Sequence, residues 1–358
     1  MHFLHPMRLL PALAALLLAT QAHAAGPRLV FATSDPAMSV QSAPYTSLQF
    51  TLGLPQRNAK IDMKLQATAG ATAAAQAVAA GNALYNWGGM ASLILAAQQD
   101  PSLVIISFDP RNSFRISVPD SSPIKSVQEL KGKIIGSQSF GSAAYLFGRA
   151  VITDGGLDPN KDVQWLPIGV GAQATAALKG GMVAAYAGYD SPNAVIAILL
   201  KEKLRDLPSR LNDLPAMSGI IVRRDNMEKY PEIVGGICRS FYQSLVFADP
   251  NPTETVLNHW KTFPDQIPSN IPREQALADA VSMLKTRLAG IAIPGADGIY
   301  GYQTMATAQS TADELFKAGL VPNRPDMAKL SDQRFKDQCG KFDTTTLAAE
   351  ARAWKAPK

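Results

Sequence analysis

Short apolar blocks and longer amphipathic runs alternate along most of this chain. The short blocks at 28–32, 61–66, 83–87 and 103–108 read as strands, because they are brief, β-branched or aromatic, and bounded by turn residues. Between them, 43–52, 70–80 and 90–98 carry helical spacing or helix-forming composition, and Gly81-Asn82 supplies a C-terminal stop. The same rhythm resumes with strands at 115–118, 133–136, 163–167 and 183–188. Helices are expected at 126–130, 142–154 and 171–179, the last stopped by Gly180-Gly181. Ser191 is placed to cap a further helix with Pro192 at its first position. A strand at 218–222 leads to helices at 223–230 and 231–248, and the remainder is mostly helical, most clearly at 273–289 and 303–318; the tail after Phe335 lacks a strong pattern apart from a candidate last helix at 344–354. Strand–helix alternation of this kind predicts an α/β protein with largely parallel sheets. No internal sequence repeat is visible.

The N-terminal segment changes the compartment. Arg8 precedes an apolar run at 9–19, within the roughly 7–15 residues of a secretory h-region and too short to span a bilayer. Ala22-His23-Ala24 is a small-x-small cleavage site, so 1–24 reads as a signal peptide cut after Ala24, with the mature chain in the periplasm. Removing Arg8, the only charged residue before Ala25, lowers the net charge from +5 to +4. The basic residues are scattered and no basic stripe interleaves with aromatics, so nucleic acid is not an expected partner. Two cysteines, Cys238 and Cys339, are available to pair in an oxidising compartment; two buried free thiols are the alternative. A bridge between them would be worth ~4–5 kcal/mol in the chain-entropy model.

The stretch 123–142, PIKSVQELKGKIIGSQSFGS, joins a short helix, a Lys-Gly turn, an apolar strand and a Ser/Gly loop that opens the next helix. That order sets free backbone N–H groups at the carboxyl end of a parallel strand, where a small polar or anionic solute can be held. The stretch resembles the second-lobe entry of the nitrate/sulfonate/taurine-type periplasmic solute-binding proteins of ABC importers, within the superfamily that includes the thiamine-pyrimidine synthases. Three further pieces match that family in order: QAVAAGNALYNWGG, ALKGGMVAAYAGYDSP, and IIVRRDNMEKYPEIVGGICRSFYQSL. Together they cover about 28–248, while the C-terminal third is similar only in being helical. The resemblance implies a two-lobed (type II) periplasmic-binding-protein fold. Lobe 1 would comprise 25–110 and 218–358, lobe 2 would comprise 111–217, and hinges would lie near 108–113 and 214–218. It also implies a cleft that closes on a solute, an inner-membrane permease as partner, and a monomer.

Candidate solute contacts follow from strand ends and helix starts. Ser34 and Asp35 follow the first strand, Thr68 and Gly70 the second, and Trp87, Gly88 and Gly89 the third, where Trp87 can stack on a flat solute. Ser139, Phe140, Gly141 and Ser142 form the second-lobe loop, and Tyr189 and Asp190 follow its last strand. Arg115, on the crossover strand, has the fork geometry to pair a carboxylate or sulfonate. The hydroxyls and Arg115 favour an acidic solute, whereas Asp35 and Asp190 favour a cation or an N–H donor. The residues do not decide between sulfonate, carboxylate and N-heterocycle.

His259 is the only histidine outside 1–24, and no metal-ligand spacing, Ser–His–Asp set or G-x-S-x-G elbow occurs. A binding protein without cofactor or metal is the expectation. A sensor module feeding a membrane receptor and a carboxylate-based enzyme are the alternatives.

Overall fold

The computed structural model describes residues 27–357, so the segment read as a signal peptide lies outside the described residues. Two five-stranded sheets make two lobes. The first contains β1 (Val30–Thr33), β2 (Lys64–Ala67), β3 (Tyr85–Gly89) and β4 (Leu103–Ile105). The second contains β5 (Phe114–Pro119), β6 (Ile134–Ser137), β7 (Gln164–Pro167), β8 (Ala185–Tyr189) and β9 (Leu204–Asp206). The chain then returns to the first sheet as β10 (Ser218–Arg223), giving the orders β2-β1-β3-β10-β4 and β7-β6-β8-β5-β9. In each sheet four strands run the same way. The exception is the strand that enters from the other lobe, β10 or β5, which is antiparallel to both neighbours. The expected two-lobed α/β architecture is therefore present.

Burial explains which blocks became strands. Leu84, Tyr85, Val104, Ile220 and Val222 lie in a core that the helix Pro231–Ala248 covers with Val234, Ile237, Phe241 and Tyr242. Pro231 opens that helix at a position where its missing N–H costs nothing. Cys238 within it forms the disulfide to Cys339, pinning the short helix Lys336–Gly340 to the back of the first lobe. The two crossover segments run side by side: Asp109 N–H donates to Ser218 O (2.8 Å), and Ala216 N–H donates to Asp109 O (2.9 Å).

Several elements depart from the sequence expectation. The helix expected at 126–130 is a single 3-10 turn, Gln128–Leu130, because Glu129 folds back to accept from Lys125 N and Ser126 Oγ. The helix after β8 starts at Asp190, ahead of the proposed Ser191 cap, and Asp190 Oδ1 accepts the Ser191 N–H at 2.8 Å. Strand β9 was not expected. It is a short, charged edge strand, and charge on an edge hides the strand pattern while discouraging further pairing. The helix Pro252–Thr262 was likewise folded into a general helical expectation.

His259, on that helix, braces the chain just after β1. Its Nε2 lies 2.7 Å from Met38 O, and its Nδ1 lies 3.1 Å from Ser47 Oγ. A carbonyl can only accept, so Nε2 carries the proton and Ser47 donates to Nδ1. Met38 adopts a left-handed backbone (φ 50°), and this bond helps hold it there. Burial pulls the His259 pKa down from 6.5 to about 4. The unfolded chain therefore takes up a proton below pH 6.5 while the folded chain does not until about pH 4. Across that window this residue should remove up to about 1.4 kcal/mol of stability per pH unit. Urea unfolding from pH 7.5 to 4.5 should reveal this slope, and His259→Gln should flatten it.

Candidate functional site

Four helices start where strands of the two sheets end. Ala71–Ala79 follows β2, Met90–Gln99 follows β3, Ala143–Asp154 follows β6, and Asp190–Leu200 follows β8. Gly70 and Ala71, Gly88 and Gly89, Ser142 to Ala144, and Tyr189 line a cavity between the lobes with about 60 Å³ of free volume. The first turns of helices carry N–H groups without intrahelical partners and the positive end of the helix dipole, so this convergence favours an anionic group. Small residues are needed because the lobes touch. Gly70 has φ +133° and a Cβ there would sit 3.0 Å from Gly141 O; a Cβ on Gly89 would sit 2.4 Å from the Ala143 Cβ.

The dominant charge in the cavity is Arg287, from the helix Arg273–Ile291 of the C-terminal third. It is 3 % exposed. Its Nη1 donates to Asp190 Oδ1 (3.0 Å), Asp190 Oδ2 (3.2 Å) and Ser113 Oγ (3.2 Å). The guanidinium lies 5.0 Å from the Trp87 ring centre and 5.6 Å from that of Tyr189, distances at which the ring faces attract a cation. Its Nε is buried without a hydrogen-bond partner. Burial by itself disfavours the guanidinium charge and the Asp190 carboxylate favours it, and in these surroundings the pKa ends above its ordinary value. Burial pushes the hydroxyls of Tyr45 and Tyr189 up, so they stay neutral hydrogen-bonding groups.

Of the residues proposed from sequence, Ser34, Asp35, Gly70, Trp87, Gly88, Gly89, Ser142 and Tyr189 line the cavity, and Asp190 meets it through Arg287. Asp35 is largely engaged by its own turn, accepting from Ala37 N, Ser39 N and Ser42 Oγ. Ser34 Oγ donates to Trp87 O, and the Trp87 Nε1 donates to Asp109 at 2.8 Å. Ser142 caps its helix by accepting from Tyr145 N.

Thr68 lies outside the cavity lining and ties the end of β2 to Thr33 O (2.9 Å). Ser139, Phe140 and Gly141 also lie outside the lining, between Gln138 and Ser142, which belong to it. Ser139 Oγ reaches Ala69 O and Gly141 O accepts from Thr72 N, both across the lobes, while Phe140 is half exposed against Tyr145. Arg115 belongs elsewhere. On a strand, neighbouring side chains point to opposite faces; Phe114 faces the cavity, so Arg115 turns away and pairs with Asp206 (3.4 Å).

Sequence reasoning missed Arg287, Tyr45, Ser113 and Gln138, all in the lining. Arg287 did carry a signal: it interrupts the buried stripe of Ala276, Ala280, Leu284, Leu288 and Ile291 on its helix. Asp109 was also missed. Fully buried on the crossover, it accepts from Trp87 Nε1 and from Tyr242 OH (2.7 Å). Burial raises its pKa, and these two bonds pull the other way. Among the described residues no group of His, Cys, Asp and Glu has the arrangement to hold a metal ion.

Solved structures with this two-lobed architecture are numerous. The alkanesulfonate-binding protein SsuA of Xanthomonas axonopodis pv. citri, bound to MOPS, is 20 % identical with a TM-score of 0.62, covering 87 % of this chain and 100 % of its own. The periplasmic aliphatic sulphonate-binding protein SsuA of Escherichia coli is 21 % identical with a TM-score of 0.61, covering 85 % and 91 %. The periplasmic nitrate-binding protein NrtA of Synechocystis PCC 6803 is 13 % identical with a TM-score of 0.59, covering 91 % and 89 %. Among curated proteins, none matches this chain significantly. These likenesses establish the shared fold, while the NMT1/THI5-like family model matches residues 57–255, more than half of the sequence. The chain belongs to the NMT1/THI5-like family.

Proposed function

We propose that this protein is the extracytoplasmic solute-binding component of an ABC importer, that it makes and breaks no covalent bond, and that it captures a small organic oxyanion between its lobes. The observation that carries the reading is the buried Arg287, held between lobes by Asp190 and facing a cavity ringed by helix starts. Family membership and the fold shared with sulfonate- and nitrate-binding proteins support it. A membrane permease that reads the closed form is the implied partner, and the exported location follows from the segment before Ala25. The hinge is assigned to the paired crossovers around Asp109 and Ala216.

Closure has a specific driving force. In the closed arrangement Arg287 Nε is buried and unmet. An unsatisfied buried donor costs about 1–3 kcal/mol. An acceptor oxygen on the solute removes that cost only when the lobes are together, and such a preference is what shifts a two-state population. Asp190 already neutralises most of the guanidinium charge, so the solute is held by this vacant donor and the helix N–H groups.

Three outcomes are expected. In a panel of sulfonates, carboxylates, nitrate and pyrimidines, at least one oxyanion should raise the melting temperature of the purified protein; a panel without any such shift would remove the reading. Arg287→Gln should weaken that solute by about 2–5 kcal/mol in calorimetry. Gly89→Val should hold the lobes apart. Reducing the closed fraction tenfold raises the apparent Kd about tenfold, and solution scattering should show the expanded form persisting with solute present.

A further inference from the structure

Arg287 brings a positive charge to the cavity, and Asp190 already balances it. Two further carboxylates stand close by: Asp35 in the lining, and Asp109 behind Trp87. An incoming anion therefore adds a net negative charge to an enclosed space, where like charges repel far more strongly than in water. Protonation of one carboxylate would relieve that repulsion.

The three carboxylates are not equally able to take a proton. Asp190 accepts from the guanidinium with both oxygens and from the N–H and Oγ of Ser191. Asp35 accepts from Ala37 N, Ser39 N, Ser39 Oγ and Ser42 Oγ. A proton added to either would face a donor already in place. Asp109 is different. It is 1 % exposed, and among the described residues its side chain accepts from two neutral groups, Trp87 Nε1 (2.8 Å) and Tyr242 OH (2.7 Å).

Tyr242 is placed to serve both charge states of this acid. Its hydroxyl lies 2.7 Å from Asp109 Oδ1 and 3.0 Å from Ser107 Oγ. With Asp109 ionised, Tyr242 donates to it. With Asp109 protonated, the acid donates to Tyr242 and the tyrosine proton turns to Ser107, so no heavy atom has to move. The groups around Asp109 are Trp87 from β3, Tyr242 from the helix Pro231–Ala248, Ser107 and Ser218 on the crossovers, and Arg287 across the Trp87 ring. Burial opposes the charge of the acid, while the two bonds and the field of Arg287 favour it. An anion at Arg287 cancels the last of these.

We infer that capture of an anion at Arg287 takes up a proton from solvent, and that Asp109 receives it. This rests on the oxyanion reading and adds the proton as a second ligand of the closed form. The coupling is reciprocal, so each favours the other to the same degree. The sign follows: the complex binds more protons than the free protein, so the solute is held more tightly as the pH falls and less tightly as it rises.

Methanesulfonate and nitrate stay ionised between pH 8 and 4.5, so a pH dependence of their binding belongs to the protein. Calorimetry in pairs of amine buffers (Tris, imidazole, Bis-Tris, piperazine), which differ in ionisation heat and bring no oxyanion, counts the protons taken up. The unmodified protein should take up a sizeable fraction of a proton, and its Kd should fall about threefold or more over that range. Asp109→Asn, which fixes the neutral form, should abolish the uptake and flatten the profile. Tyr242→Phe removes a donor to the ionised acid and should move the uptake to higher pH, which carries the test if Asp109→Asn folds poorly. His259→Gln should leave the uptake in place. Binding of either anion without proton uptake would overturn the inference and leave the binding-protein reading standing. Uptake that persists in Asp109→Asn, or vanishes in His259→Gln, would also overturn it, because the proton would then sit elsewhere. Failure of both anions to bind at every pH would overturn it together with the Arg287 oxyanion site.

Discussion

The ion pair between Arg287 and Asp190 is the constraint on which the closed arrangement depends. Its partners come from different parts of the molecule: the helix Arg273–Ile291 of the C-terminal third, and the start of the helix that follows β8. Taking both charges out of water carries a penalty of several kcal/mol per ion, and mutual attraction offsets it only when geometry and additional bonds are good. Here the additional bonds exist. Ser113 accepts from the same guanidinium nitrogen, and Trp87 and Tyr189 offer ring faces to the cation. Separating the lobes breaks the pair but rehydrates both ions, so open and closed forms can differ by little. Under the proposed function, a solute that meets the remaining Nε would decide between them.

The aromatic wall around this pair is itself held from behind. Trp87 is oriented by Asp109, which Tyr242 also grips, and Asp109 exchanges backbone bonds with the returning crossover. The side chain that stacks on Arg287 is thus wired directly to the two segments about which the lobes would move. His259 performs a comparable service on the other flank by bracing Met38, next to the Asp35 turn and the Gln41 that meets Tyr189. The cavity residues stand on a scaffold of buried polar contacts that tolerates little displacement.

The two lobes repeat one plan. With β6 in the place of β1, β7 of β2, β8 of β3, β9 of β4 and β5 of β10, the strand orders coincide. No corresponding repeat is visible in the sequence. The plan is preserved by backbone pairing and by where helices begin, and these demands are met by many combinations of apolar residues. What the repetition achieves is the meeting of two sets of strand ends, each followed by helix starts, across one cleft.

Much of this was written in local patterns. Apolar blocks with turn residues marked most strands, Gly-Asn and Gly-Gly marked helix stops, and the Ser/Gly loop before Ala143 marked a helix start at the cleft, because strand and helix periodicities act over a few residues. The charged edge strand β9 and the direction of Arg115 were not legible, since each depends on a neighbouring strand or on which face a pleat turns inward. The position of Arg287 was not legible either, although its place in an apolar stripe announced that its charge would be buried. Only tertiary structure could bring it to Asp190, 97 residues earlier in the chain, because that meeting is decided by how two lobes and a C-terminal helix pack and by no local preference of either residue.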